Sequence, residues 1–278
     1  MNTLYGSVMD DAAPPPEAGP LAALRAEIDG VDQALLDLIA QRLRLGDRVA
    51  AAKAESTGLP IRPGREVAML RKLIAAAPAP LEPELVAEIW RSLIAANLRR
   101  QRMIDVVVGG GRGDPTRLFD IARRHFGART RITHVGEAQA ALLKAIESPE
   151  SCVAITTWPA APGVGAWWPA LTEQRFRGLQ LIAALPQRGG EEPEAALFAV
   201  NTTEPAGGDI SLLIAFDPHH RVVRALNEVG LKGKEIARAE PRVLLKVEGY
   251  IALDDPRAAA MLGHGLDGVR VLGSYARV

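Results

Sequence analysis

The chain has 278 residues, and its 33 basic and 33 acidic residues give a formal net charge of zero. The length is sufficient for a sizeable core and two or three domains, and the neutral balance argues against a nucleic-acid partner. The lone cysteine, Cys152, excludes an intramolecular disulfide and indicates a reducing compartment. Because no apolar run reaches the roughly 20 residues that a membrane-spanning helix needs, we expect a cytoplasmic protein.

Residues 1–20 are rich in proline and predict a disordered leader, without the basic segment and apolar core of a secretion signal. Residues 21–104 then predict an all-helical domain. Its first helix runs from about Leu21 to Ser56, and the turn-forming stretch STGLPIRPG ends it. A shorter helix over 65–76 and a third over 84–103 follow.

Apolar residues recur along the first helix at alternating steps of three and four, the spacing of a helix packed lengthwise against other helices. This apolar seam consists of Leu21, Leu24, Ile28, Val31, Leu35, Leu38, Leu45 and Val49. Arg42 occupies the seam position between Leu38 and Leu45. An unpaired charge in a packed seam costs on the order of several kcal/mol, so we expect a carboxylate partner, from the protein or from a ligand.

Other polar residues reinforce this expectation. Lys53 lies about 16 Å from Arg42 along the helix and on nearly the same side, so the two cations could hold opposite ends of one small ligand. On the third helix, the stripe formed by Val86, Trp90 and Leu93 continues into Asn97 and Gln101, and buried amides require partners. The alternative is that these cations pair with acidic neighbours or extend to solvent. The pattern favours a polar pocket for a small polycarboxylate.

Residues 21–104 resemble the all-helical chorismate mutase domain, of the type fused to prephenate dehydratase in bifunctional enzymes. The resemblance rests on LRAEIDGVDQALLDLIAQRLRLGDRVAAAK (24–53), IRPGRE (61–66) and NLRRQ (97–101). It implies a dimeric helical bundle with isomerase activity, which rearranges chorismate to prephenate in aromatic amino acid biosynthesis. It implies no cofactor, no metal and no covalent intermediate.

The same resemblance implies substrate contacts for four residues on the first and third helices. Arg42 would bind a carboxylate of chorismate, and Arg25 would do so across the interface, in the pocket of the partner subunit. Lys53 would contact a carboxylate and the ether oxygen of the substrate. Gln101 would donate a hydrogen bond to the same ether oxygen.

Three further residues take roles from the resemblance. Glu66 would hold the ring hydroxyl of the substrate, and Arg65 would support the pocket. Asn97 would bind substrate at a position where the family often has serine. A departure is the stretch RPG (62–64), because the family often has an acidic residue there.

Residues 105–207 predict an α/β region that weakly resembles a truncated prephenate dehydratase domain. The family's Thr-Arg-Phe motif aligns with Ala196, Leu197 and Phe198, so the hydroxyl and the guanidinium are missing. Residues 208–278 predict a βαββαβ-like, ferredoxin-like α+β module. This tail is similar to the regulatory ACT module of prephenate dehydratases, on ISLLIAF, VEGYIALDDPRAAA and VRVLGSY, although DPHHRVV and RAEPR depart from its phenylalanine-binding loops.

The leading interpretation is a chorismate mutase that carries a degenerate dehydratase-like region. One alternative is a bifunctional chorismate mutase and prephenate dehydratase. Another is a non-catalytic helical dimerisation module with a small-molecule sensor tail. A pyruvate-lyase activity on isochorismate, which uses the same helical architecture, is a further alternative. The sequence does not assign an effector to the tail.

Overall fold

The computed structural model describes residues 19–52, 58–110, 115–160, 166–190 and 192–278. The predicted leader as far as residue 18 lies outside them, and so does the candidate site residue Lys53. The chain divides into two compact units between Gly46 and Asp47, within the first helix. No helix among the described residues is long and apolar enough to cross a membrane.

Three helices precede the first strand, and four more follow within the remaining chain described. The helices are α1 (Pro20–Ala52), α2 (Pro63–Ala76), α3 (Pro83–Gln101), α4 (Thr116–Phe126), α5 (Ala138–Glu147), α6 (Val222–Glu228) and α7 (Pro256–Ala260). The strands are β1 (Asp105–Gly109), β2 (Ile132–His134), β3 (Cys152–Thr157), β4 (Gln180–Leu185), β5 (Ala195–Ala199), β6 (Ile210–Phe216), β7 (Gly233–Ala239), β8 (Arg242–Glu248) and β9 (Gly268–Tyr275). Short 3-10 helices cover Trp168–Thr172, Gln174–Phe176 and Met261–His264.

Proline is the first residue of four described helices, α1, α2, α3 and α7. α2 begins at Pro63 and α3 at Pro83, slightly before the predicted starts at residues 65 and 84. A proline in the first turn lacks only an N–H that has no helical partner there, and its ring already has a helical φ. These prolines therefore start helices, although in the sequence they read as breakers.

The middle region forms one five-stranded sheet in the order β2-β1-β3-β5-β4. β1 pairs in parallel with β2 and β3, and α4 and α5 supply the crossover connections. β5 runs antiparallel to both β3 and β4. β3, β5 and the edge strand β4 are buried at every position, as expected for a sheet covered on both faces.

The C-terminal region forms a second, antiparallel sheet in the order β7-β8-β6-β9. Its elements follow each other as β6-α6-β7-β8-α7-β9. α6 begins at Val222. The buried Asp217 side chain accepts hydrogen bonds from the backbone N–H groups of Arg221 and Val222, and so fixes where this helix begins.

α3 packs on the first sheet through a face that differs from the predicted one. Its buried side chains are Val86, Ile94, Ala95 and Leu98, whereas the predicted stripe also named Trp90, Leu93, Asn97 and Gln101. Ile94 and Leu98 share a hydrophobic cluster with β1, β3, β4 and α4. The face of α3 that packs against the sheet is the one that is buried. Trp90 and Leu93 lie outside it and are half-buried.

The two sheets meet where β9 crosses β4. Gly273 lies against the Leu181 backbone with φ at +139°, and a Cβ at this position would collide with the Leu181 carbonyl oxygen. A core that includes Leu181, Leu212 and Leu272 continues from one sheet to the other. The middle and C-terminal regions therefore share a hydrophobic core.

Candidate functional site

Two of the predicted site residues lie on α1. Arg25 is exposed, and Arg42 is half-buried. Nη1 of Arg42 is buried and has no hydrogen-bond partner among the described residues, and burial lowers the pKa of this guanidinium. Arg25 and Arg42 are about 26 Å apart along the helix, so one small ligand cannot contact both of them in a single chain.

The start of α2 carries Arg65 and Glu66. Arg65 is exposed, whereas Glu66 is buried. The Glu66 carboxylate accepts a hydrogen bond from Nη1 of Arg91 on α3 at 2.6 Å. Nη2 of Arg91 donates to Oε1 of Gln187, also at 2.6 Å. Glu66 is therefore held within a buried polar chain that links α2, α3 and the turn after β4.

Local packing positions this helix start. The Asn201 side chain donates to the Ile61 carbonyl at 2.8 Å and accepts from Arg62 at 3.1 Å. A Cβ on Gly64 would lie 2.5 Å from the Glu204 carbonyl oxygen, so only glycine permits this approach of the two backbones. Arg62, at the RPG departure from the family pattern, thus contacts the loop after β5.

The end of α3 carries the two predicted amides. Oδ1 of Asn97 is buried and has no partner within the part of the chain that the structure describes. Gln101, one turn later, is exposed and lines a cavity of about 500 Å³ together with Asp47, Ala50 and Arg100. An amide at such a cavity can donate to an oxygen of a bound ligand.

A bidentate ion pair borders this cavity. Arg100 donates to both carboxylate oxygens of Asp47, at 2.9 Å and 2.6 Å. These hydrogen bonds hold the pKa of Asp47 below its ordinary value. The pair joins the last turns of α1 and α3, so Gln101 lies close to the helix end that precedes Lys53.

The structure brings some of the predicted residues together and separates others. Asn97 and Gln101 are neighbours on one face of α3. Glu66 contacts α3 at Arg91, ten residues before Gln101, which corresponds to about 15 Å along the helix. The Glu66 carboxylate and the Gln101 amide thus lie at different levels of α3.

Sequence reasoning missed Arg91, Asp47 and Arg100. Arg91 had a detectable signal, because it precedes Ile94, Ala95 and Leu98 by three, four and seven positions and so continues the buried face of α3. The Asp47–Arg100 pair had none, since its members are 53 residues apart. Among the residues described, no group of three or more histidine, cysteine, aspartate or glutamate side chains could hold a metal ion.

Known proteins match the helical part of the chain. Residues 24–102 match the family model described as "Chorismate mutase type II". The bifunctional chorismate mutase/prephenate dehydratase of Pseudomonas aeruginosa is 34% identical over 112 residues, which cover 38% of this chain and 30% of that protein. The T-protein of Enterobacter agglomerans is 38% identical over 114 residues, which cover 36% of this chain and 30% of that protein. The chain thus spans about a third of the length of these relatives.

A solved structure, the prephenate dehydratase from Streptococcus mutans, aligns with 62% of this chain and 98% of its own length, at a TM-score of 0.39 and 15% sequence identity. At these values the likeness assigns no activity to the chain. The family match is different in kind, because it covers the stretch that carries the unpartnered Arg42 and Asn97 groups and the Gln101 cavity. Residues 24–102 are a chorismate mutase type II domain.

Proposed function

We propose that this protein is an isomerase that rearranges chorismate to prephenate, with both carboxylates of the substrate held by cations of the helical domain. The family match over residues 24–102 carries the proposal. Arg42 supports it physically, because its half-buried guanidinium has an unpartnered Nη1 in an otherwise apolar seam. A charge-assisted hydrogen bond to a substrate carboxylate would satisfy that group.

This reaction suits the residues available. An intramolecular rearrangement needs no nucleophile, proton transfer or metal. It requires that a flexible dianion be held in its compact reactive shape and that negative charge on the breaking ether oxygen be stabilised. Arg42 and Lys53 would bind the carboxylates, and Lys53 and Gln101 would donate to the ether oxygen.

The remaining residues of the proposed site surround the ring. Glu66 would accept a hydrogen bond from the ring hydroxyl. To do so, its carboxylate would either give up its hydrogen bond with Arg91 or accept from both groups at once. Arg65 would support the pocket from the exposed side of α2, and Asn97 would contribute its amide at the end of α3. These roles are proposals from the family resemblance.

We further propose that the active unit is a homodimer in which Arg25 acts in the site of the partner subunit. The seam on α1 supports this, since Ile28, Val31 and Leu38 are each about 60% exposed in the single chain. Covering this seam with a second copy would bury it and create two equivalent sites. The division into a leader, a helical domain (21–104), an α/β region (105–207) and an ACT-like tail (208–278) is part of the same proposal. The β-α-β-β-α-β order supports a ferredoxin-like tail.

The test is incubation of the purified chain with chorismate. Chorismate should disappear faster than without protein, and chromatography with mass spectrometry should show a product of unchanged mass. A lyase specific for isochorismate would leave chorismate intact and would release pyruvate from isochorismate supplied in a parallel incubation. A non-catalytic dimerisation module would act on neither compound. Either outcome would overturn the proposal.

The bifunctional alternative is tested by supplying prephenate and measuring phenylpyruvate. We expect none above the rate without enzyme. Ala196 stands at the aligned threonine position, and it is fully buried in β5 between Thr156 of β3 and Ala184 of β4. Ala196 itself has no hydroxyl to assist loss of the ring hydroxyl. Phenylpyruvate formation by the purified chain would establish the bifunctional alternative.

A further inference from the structure

A second cavity, of about 490 Å³, lies beside α3 and α4 at the end of β4. It is separate from the cavity at Gln101, with which it shares no lining residue. Its size is within the range of small-molecule sites. Leu70, Ile121 and Leu185 supply apolar wall, and the lining also contains arginine and glutamate side chains.

Gln187 is the buried polar group at this cavity that lacks a partner. Gln187 is only 6% exposed. A guanidinium has only donors, so the contact with Arg91 fixes Oε1 on the Arg91 side and leaves Nε2 on the other. Nε2 is buried and has no hydrogen-bond partner in the described chain. Leaving such a buried donor without a hydrogen bond costs about 1–3 kcal/mol. A hydrogen-bond acceptor on a ligand would recover this free energy.

The surrounding charges select the kind of acceptor. Arg91, Arg117 and Arg188 of the lining pair with Glu66, Glu194 and Glu84. Arg123 and Arg124 are exposed members of the lining. His125 is buried there, and burial together with the nearby Arg91 cation lowers its pKa well below the ordinary value. It is therefore neutral near pH 7, and Arg123 and Arg124 provide the cationic groups.

We propose that this cavity binds a small organic monocarboxylate, whose carboxylate accepts a hydrogen bond from Nε2 of Gln187 and whose apolar body lies against Leu70, Ile121 and Leu185. Arg123 and Arg124 supply the complementary charge. The site does not depend on the proposed mutase activity, because it lies outside the residues assigned to that reaction.

The test is calorimetric titration of the full chain with benzoate, with benzamide as its neutral counterpart and inorganic phosphate as an anion without an apolar body. Benzoate should bind saturably and more tightly than either. Absence of saturable benzoate binding, or equal binding of benzamide, would overturn the proposal. Tighter binding of phosphate would also overturn it, because the site would then recognise an anion alone.

Gln187→Glu is the decisive variant. It retains an oxygen that accepts from Arg91 but places a second carboxylate oxygen where the Nε2 donor stood, so benzoate affinity should fall by at least about tenfold. Gln174→Glu makes the same change on an exposed 3-10 helix outside the lining, and it should bind benzoate as wild type does. Unchanged binding in a folded Gln187→Glu protein would overturn the proposal.

A second variant keeps the test valid if Gln187→Glu does not fold. Arg123→Gln removes an exposed cation of the lining and should weaken benzoate binding roughly two- to fivefold. Arg224→Gln, on α6 and outside the lining, is its control. Equal affinities of the Arg123 and Arg224 variants would contradict the assigned charge recognition.

Discussion

The first helix and the strands of the first sheet differ in how far their apolar side chains are buried. α1 contains no fully buried residue, and Leu38 in its seam is 61% exposed. β4 is buried at all of its positions. A helix satisfies its own backbone hydrogen bonds and can form before its apolar face is covered, whereas a strand exists only with its neighbours. The seam on α1 is therefore exposed in the single chain, whereas β3, β4 and β5 are buried within it.

The largest expected effect concerns the cationic side chains of the helical region that are proposed for catalysis. Arg42→Ala and Lys53→Ala should each lower kcat/KM for chorismate by at least about a hundredfold, because each removes a group that stabilises the transition state. Arg44→Ala, which removes an exposed cation of the same helix, is the matched control. Wild-type kinetics in either test variant would contradict the assigned site.

Gly273 tests the contact between the two sheets. Gly273→Ala should destabilise the fold by about 3 kcal/mol, through strain at a positive φ and the collision with the Leu181 carbonyl. Gly263→Ala, in a 3-10 helix with no atom within 4 Å of the added Cβ, is the control. Urea denaturation of both proteins measures the difference, and equal midpoints would contradict the described contact between the sheets.

Mixed dimers test whether a second copy of the chain packs on α1 and supplies Arg25 to the site. Arg25→Ala and Lys53→Ala proteins should each be nearly inactive alone. Refolded together in equal amounts, they should recover roughly a quarter of wild-type activity, because half of the dimers are mixed and each of these has one intact site. The assay is chorismate consumption. If mixed dimers form without recovery, Arg25 does not act across the interface.

The smallest expected effect concerns the exposed Asp47–Arg100 pair at the end of α1. Its hydrogen bonds lower the pKa of Asp47 in the folded state. The resulting stabilisation is therefore complete above the carboxyl's ordinary pKa and is lost as the pH falls through the lowered value. Melting temperatures of wild type and Asp47→Asn should differ slightly at neutral pH and converge in acid. A difference that grows in acid would have the wrong sign.

Local pattern determined much of the helical region. The seam spacing on α1 and the turn-forming prolines predicted three helices, and Arg42 stood out because a charge interrupts apolar periodicity. The amides at Asn97 and Gln101 were predicted on one face of a helix, and both lie at the end of α3. These features depend on neighbours within a few turns, which are visible in the sequence.

Contacts between distant segments decided the rest. Glu66 pairs with Arg91 and, through it, with Gln187, because α2 and α3 pack beside the end of β4. The buried face of α3 is the one that meets the first sheet, so Ile94 and Leu98 are buried while Trp90 remains half-buried. A sequence with two plausible apolar faces on a helix does not say which face another element will cover. Only tertiary packing supplies that element, and with it the second cavity and the unpartnered Gln187 donor.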